Sequence, residues 1–246
     1  SRLLPSLLDV SRRNLNQQER TLRLFEIGKC FSSPKESGLL PTEHTELSVL
    51  LCGPKNISPW QGDIATVDFF DIKGLAERIV GSENITFSPF ANNGYRNGFS
   101  AKINLAKKTI GFVGQVSSKL SEAFDIKQPV FILELQVDPI ATLWHKQAVR
   151  FSPITKFPTA DRDLSVVVRD EVPQEDVRTT ITKGKWVENV RFLDLYVGDQ
   201  VKNGYKCLSF SLALRNPAAT LTDKQADSTI EATLKQLSKL FDAKLR

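Results

Sequence analysis

Between Arg191 and Gln225 the sequence reads RFLDLYVGDQVKNGYKCLSFSLALRNPAATLTDKQ. Two runs of alternating side chains flank a short polar turn, and their positions fall into two sets of different chemistry. One set, Leu193, Leu195 and Val197 with Leu208, Phe210, Leu212 and Leu214, is apolar throughout. The other, Phe192, Asp194 and Tyr196 with Cys207, Ser209, Ser211 and Ala213, joins aromatic rings to a carboxylate, hydroxyls and small residues. An upstream run, RDLSVVVRD, splits the same way into Leu164, Val166 and Val168 against Ser165, Val167 and Arg169. Rings that accept a stacked base, small residues that let it approach and groups that bond to base edges suit unpaired nucleobases, with stacking worth about 1 to 3 kcal/mol per base. Asp194 can accept from a base amino group, and Lys156, Arg162, Lys206 and Arg215 stand at strand ends where phosphates could pass. A solvated sheet face with one aromatic pair fits the same residues.

Such a face needs strands that bury their other side, and the surrounding sequence supplies the elements. RDLSVVVRD reads as a strand, PQEDVRTTITKG as a helix, WVENVRFLDLYVG and YKCLSFSLALRN as two strands. TDKQADSTIEATLKQLSKLF is a long helix opened by the capping box Thr222 to Gln225, with Ala226, Ile230, Thr233, Leu234, Leu237 and Phe241 on its buried stripe. The terminal AKLR can add a last short strand. Strand, helix, strand, strand, helix, strand is the order of a ferredoxin-like sandwich, whose helices cover one sheet face and leave the other open.

A stretch with Pro153 and Pro158 and no sustained period divides this region from what precedes it, so the expected domains are residues 1–150 and 151–246. In the first, Leu3, Leu4, Leu7, Leu8 and Val10 recur at helical spacing. TLRLFEIGKCF and HTELSVLLCG read as an antiparallel pair joined by a long polar loop, and VDFFDIKGLAERIV as a helix capped by Asp68 or Asp71. A hairpin turning at Ala106 to Lys108, the short capped helix SSKLSEAFDI and the strand PVFILELQV complete an α+β domain built on an antiparallel sheet.

Several function classes are disfavoured. Three cysteines at wide spacing, Cys30, Cys52 and Cys207, do not make a disulfide framework, and a zinc site would need something like Cys30, His44 and Cys52 with no CxxC or HxxxH pair behind it, so no metal is expected. The net charge of +5 is spread along the chain, with 15 basic against 13 acidic residues from Phe151 onward, and so nominates no nucleic-acid domain by itself. No apolar run approaches the roughly 18 to 20 residues of a membrane span, and a cytoplasmic protein is the default expectation. The glycines of GFVG lie inside a hairpin and cannot cradle a phosphate as a P-loop does. His44 and His145 have no nucleophile near them in sequence, and no catalytic residue is assigned. The absence of methionine and the start at Ser1 suggest a piece of a longer protein.

The segments FPTADRDLSVVV, VRFLDLYVG, GYKCLSFSLALRNPAATLTD and LFDAKLR closely resemble the ferredoxin-fold anticodon-binding domain of bacterial phenylalanyl-tRNA synthetase beta subunits. The resemblance implies binding of the tRNA(Phe) anticodon stem-loop on the open sheet face. Carried over, the contacting positions are Ser165, Asp194, Tyr196 and Cys207, with Arg162 beside them; Cys207 stands where the family leads one to expect serine, and Lys206, from its strand-end position, is expected to meet phosphates. Upstream, SRLLPSLLDVSRRNLN, LRLFEIGKCF, DFFDIKGLAERI and TIGFVGQVSSKLSEAFDI resemble the same subunit's imitation of a class II synthetase core. That pocket reads as silent, because Lys29 and Ser32 stand where a catalytic hairpin carries arginine, no GxGxER sequence occurs, and Arg96 is a lone loop arginine. The resemblance implies no cofactor in this chain, ATP and Mg2+ in the holoenzyme, and an alpha subunit as partner in an alpha2beta2 assembly, with Trp60, Phe69 and Phe70 as candidate contacts. Two rivals are a ferredoxin-like regulatory domain that binds a small amino acid, against which RDEVPQED offers no glycine loop, and an assembly module with no RNA role.

Overall fold

A computed structural model describes the chain apart from residues 1, 33–39, 56–59, 61–64, 82–84, 107 and 147–154. The fold separates into two compact units, Ser1–Val149 and Arg150–Arg246.

The first unit opens with α1 (Leu4–Asn16), whose Leu4, Leu7 and Leu8 are buried as the helical spacing requires. β1 (Leu22–Ser32) and β2 (Thr42–Cys52) pair antiparallel from Leu22↔Cys52 to Ser32↔Thr42. α2 (Phe69–Val80) is capped by Asp68, whose carboxylate accepts from the Phe70 and Asp71 amides while Asp71 accepts from the Asp68 amide. β3 (Ile85–Pro89), β4 (Tyr95–Leu105), β5 (Lys108–Val116), α3 (Ser118–Ala123), β6 (Val130–Gln136) and α4 (Val137–Lys146) follow. The six strands form one antiparallel sheet in the order β1-β2-β6-β5-β4-β3. On one face, Val49, Leu51, Ile103, Val113, Leu133 and Leu135 pack with Ile72 and Ala76 of α2 and Ile140 of α4. On the other, Leu50, Val130 and Ile132 pack with α1. β3 and α4 have no counterpart in the sequence reading: β3 is five residues long, and α4 follows β6 without a break, so its apolar residues extend the strand pattern.

The second unit comprises β7 (Ala160–Arg169), α5 (Gln174–Thr182), β8 (Val187–Tyr196), β9 (Tyr205–Leu214), α6 (Asp223–Phe241) and β10 (Lys244–Leu245). Its sheet runs β10-β7-β9-β8, every pair antiparallel, as in a ferredoxin-like βαββαβ sandwich. Thr222 and Gln225 form the capping box that opens α6. Leu164, Val166, Val168, Leu208, Phe210, Leu212 and Leu214 bury one sheet face with Val177 and Ile181 of α5 and Ala226 and Leu237 of α6. The remaining strand positions form the open face.

β8 departs from the expected alternation. Val190 pairs with Leu212 and Phe192 with Phe210, whereas Asp194 pairs with Ser209 and Tyr196 with Cys207. Leu193 is the extra residue of a bulge that resets the two-residue period. Phe192, expected on the open face, therefore turns to the helix side, where its ring meets Phe210 edge-on at 5.6 Å. Leu195 faces the helix side opposite Leu208, but on an edge strand it remains 48% exposed.

Candidate functional site

The open face gathers four of the expected residues. Asp194 and Tyr196 of β8 lie across from Ser209 and Cys207 of β9, which in turn pair with Ser165 and Val167 of β7. Ser165 and Ser209 share a hydroxyl hydrogen bond of 2.8 Å. Cys207 belongs to this face but is only 1% exposed, so its thiol is not presented to a ligand. Tyr196 folds back over Gly198, where a Cβ would lie 2.6 Å from the tyrosine hydroxyl.

Arg162 and Lys206, expected beside this set, lie elsewhere. Arg162 pairs with Leu212 and shares the helix-side parity of Leu164. Its Nη2 donates to Asp223 at 2.7 Å and its Nε to Asp227 at 3.0 Å, which ties β7 to the first turns of α6 and raises the guanidinium pKa through those hydrogen bonds. Lys206 shares the parity of Leu208 and spends its ammonium on the Asp170 carbonyl at 2.6 Å. Arg215 bonds Glu188 at 2.8 Å and the Phe157 carbonyl at 2.7 Å. These cations hold the fold together.

Other cations take their place. Arg191 pairs with Ser211 and Arg169 with Tyr205, so both belong to the open face. Arg246 continues β10 with its amide on the Ser165 carbonyl at 3.1 Å, and its side chain crosses the sheet. The guanidinium sits 5.1 Å from the Tyr196 ring centroid and donates to Gln200 at 2.7 Å. A planar cation over an aromatic ring extends the stacking surface, since bases stack on guanidinium planes as on rings. Unbroken alternation from Asp194 would put Arg191 on the helix side, and only the bulge brings it to the open face; nothing local in the sequence marks Arg246.

The first unit contains a cleft of about 420 Å³ lined by Arg2, Ser32, His44, Glu46, Phe112, Glu134 and Gln136, among others. Glu134 is nearly inaccessible and accepts from Arg2 Nε at 2.9 Å, from Arg2 Nη2, and from the Tyr95 hydroxyl at 2.5 Å. Burial first, then the adjacent Glu134 charge, drives the Tyr95 hydroxyl pKa upward. A triphosphate needs unpaired cations and magnesium-binding room. Here two carboxylates line the cleft and its arginine is committed to Glu134, so these residues do not fit ATP. Among the described residues, Cys30, His44 and Glu46 place one potential metal-ligating atom each within 4.8 Å of one another, with Glu46 standing where the sequence reading considers Cys52.

Of the expected contacts to a partner, Trp60 and Phe70 are exposed, whereas Phe69 packs against the core. The outward row of β1 offers more: Phe25 is 70% and Ile27 60% exposed on the edge strand of the sheet.

A four-stranded sheet with both helices on one side, over residues 155–246, matches the ferredoxin-fold anticodon binding domain. The second unit thus falls in the ferredoxin-fold anticodon-binding class of domains. Residues 1–137 match the phenylalanyl tRNA synthetase beta chain CLM domain, and the chain belongs to the phenylalanyl-tRNA synthetase beta chain family. Curated relatives named phenylalanine–tRNA ligase beta subunit include those of Shouchella clausii, 34% identical over 99% of this chain, and Xanthomonas axonopodis pv. citri, 32% identical over 100% of it. The chain spans 31% of the length of each. A pyrrolysyl-tRNA synthetase from Desulfitobacterium hafniense aligns with a TM-score of 0.45 and 15% identity, over 58% of this chain and 48% of that one.

Proposed function

We propose that residues 151–246 bind the anticodon stem-loop of tRNA(Phe) on the open face of their sheet, and that residues 1–150 are a catalytically silent domain that packs on an alpha subunit. The assembly would be an alpha2beta2 cytoplasmic phenylalanine–tRNA ligase, with ATP and Mg2+ used on the alpha subunit. The observation that carries the RNA reading is the Tyr196 ring with Arg246 over it, beside Asp194 and the Ser165–Ser209 pair. Stacking on such a surface is worth about 1 to 3 kcal/mol per base, and the carboxylate can accept from one base amino group. Arg191, Arg169 and Arg246 supply charge for phosphates. The silent reading of the first unit rests on its acid-lined cleft. For the alpha subunit, the exposed Phe25 and Ile27 row is the surface of choice.

Titration of a labelled tRNA(Phe) anticodon stem-loop at two salt concentrations tests the RNA reading. Tyr196→Ala should weaken binding by roughly 5- to 150-fold, the equivalent of about 1 to 3 kcal/mol, and Asp194→Ala should relax discrimination at one base. Glu231→Ala, an exposed position on α6, should bind as wild type. Folded Tyr196→Ala and Asp194→Ala proteins that bind the RNA with unchanged affinity and discrimination would overturn it. Pyrophosphate exchange dependent on phenylalanine, from the chain free of alpha subunit, would overturn the silent reading.

A further inference from the structure

Cys30 and His44 are direct cross-strand partners on β1 and β2, and Glu46 lies two residues along β2 on the same side. A thiol sulfur, an imidazole nitrogen and a carboxylate oxygen from these three residues all fall within 4.8 Å of one another, and His44 Nε2 is 3.9 Å from Glu46 Oε2. From metal–ligand bond lengths, a tetrahedral zinc ion would hold such atoms about 3.3 to 3.7 Å apart. Side-chain rotation of about 1 Å closes that difference, and the strand pairing already fixes the backbone.

Charge and access point the same way. Glu46 is buried, and its carboxylate accepts from neutral donors, the Leu3 amide at 3.4 Å and the Ser48 hydroxyl at 3.0 Å. Arg2 nearby commits its guanidinium to Glu134. A carboxylate, a thiolate and a neutral imidazole bring two negative charges to a dication, so the filled site is neutral, which removes most of the cost of burying charge. His44 and Glu46 also line the 420 Å³ cleft, which gives an ion a way in and leaves room for water as a fourth ligand. Cys52, the remaining cysteine of the first unit, pairs with Leu22 at the far end of β2, about 26 Å along the strand from His44. Glu46 replaces it.

We infer that Cys30, His44 and Glu46 form a three-ligand site for a zinc-class divalent cation, which clips the edge strand β1 to β2 and keeps one coordination position open to the cleft. The site stands on the first unit alone and is independent of the RNA reading.

The chain, stripped of metal under reducing conditions, is titrated with Co2+ and then with Zn2+. One equivalent of cobalt should give a thiolate-to-cobalt charge-transfer band and the intense visible bands of tetrahedral coordination, and zinc should abolish both. Cys30→Ser and His44→Gln should each weaken binding by about 100-fold or more, judging from the 10- to 100-fold losses caused by removing only a supporting group. Zinc should raise the melting temperature of wild type and not of either variant. His145→Gln removes the other histidine and should change nothing. His44 is partly exposed, so its variant keeps the test sound if Cys30→Ser fails to fold. Absence of the thiolate band at stoichiometric cobalt, or its survival in a folded His44→Gln protein, overturns the site.

Discussion

Replacing Tyr95 by phenylalanine isolates one bond at the centre of the first unit. Tyr95 and Glu134 are 4% and 2% exposed, and the hydroxyl donates to the carboxylate at 2.5 Å. Phenylalanine keeps the ring, including its edge contact with Phe90 at 5.9 Å, so no cavity larger than the lost oxygen forms. Arg2 still holds the Glu134 carboxyl group, which limits the loss to one hydrogen bond in an ion-paired network, about 1.5 to 3 kcal/mol. For a protein of this size that corresponds to roughly 3 to 12 °C in melting temperature. Urea denaturation gives the free energy, and amide exchange along β4 and β6 locates it. Combined with Arg2→Ala, the double variant should lose more than the two singles together, because Glu134 is then left buried without a charged or hydroxyl partner. A loss below about 0.5 kcal/mol for Tyr95→Phe, with strict additivity in the double variant, would mean that water reaches Glu134 and that the network contributes nothing.

Three further outcomes follow from particular contacts. Leu208→Ala, at a fully buried position, should cost about 2 to 5 kcal/mol, while Leu195→Ala, half exposed on the edge strand, should cost less than about 2 kcal/mol by urea denaturation. Gly198→Ala should leave the melting temperature nearly unchanged but displace the Tyr196 ring and lower stem-loop affinity, because the new methyl group meets the far end of that side chain. Burial pushes the Asp68 carboxyl up, but hydrogen bonds from Lys55 and the Phe70 and Asp71 amides outweigh it and set its pKa below the ordinary value. Its stabilising contribution is therefore complete above the unfolded value near 4 and is lost as the pH falls through the lower folded value, so the stability gap between wild type and Asp68→Ala, about 0.5 to 2 kcal/mol at neutral pH, should close in acid.

The sequence is most legible where one periodicity runs unbroken. α1, α2 and α6 bury most of the residues that helical spacing selects, Val10 of α1 being the exposed exception, and the caps at Asp68 and Thr222 sit where capping chemistry places them. β7 and β9 alternate cleanly, and parity puts Arg162 and Lys206 on the helix side in spite of their strand-end positions: each is an even number of residues from a buried leucine on its own strand. β8 is a different case. No residue type announces the bulge at Leu193, so the face of Phe192 depends on pairing with β9 and not on its own neighbours.

The candidate sites show the same division between local and long-range information. Asp194 and Tyr196 lie on one side of the bulge and keep the two-residue period between them, so their shared face could be read from the sequence. Arg246 reaches Tyr196 from β10, across two intervening strands, and only the strand order brings the guanidinium to the ring. Cys30 and His44 stand 14 positions apart in the sequence, and their contact depends on the register of β1 against β2. A shift of that register by a single residue would turn His44 to the opposite face from Cys30 and disperse the ligand set. Metal binding by the chain would thus report the register of its edge hairpin, and RNA binding the register of β8 against β9, where the bulge at Leu193 decides which cations join Asp194 and Tyr196.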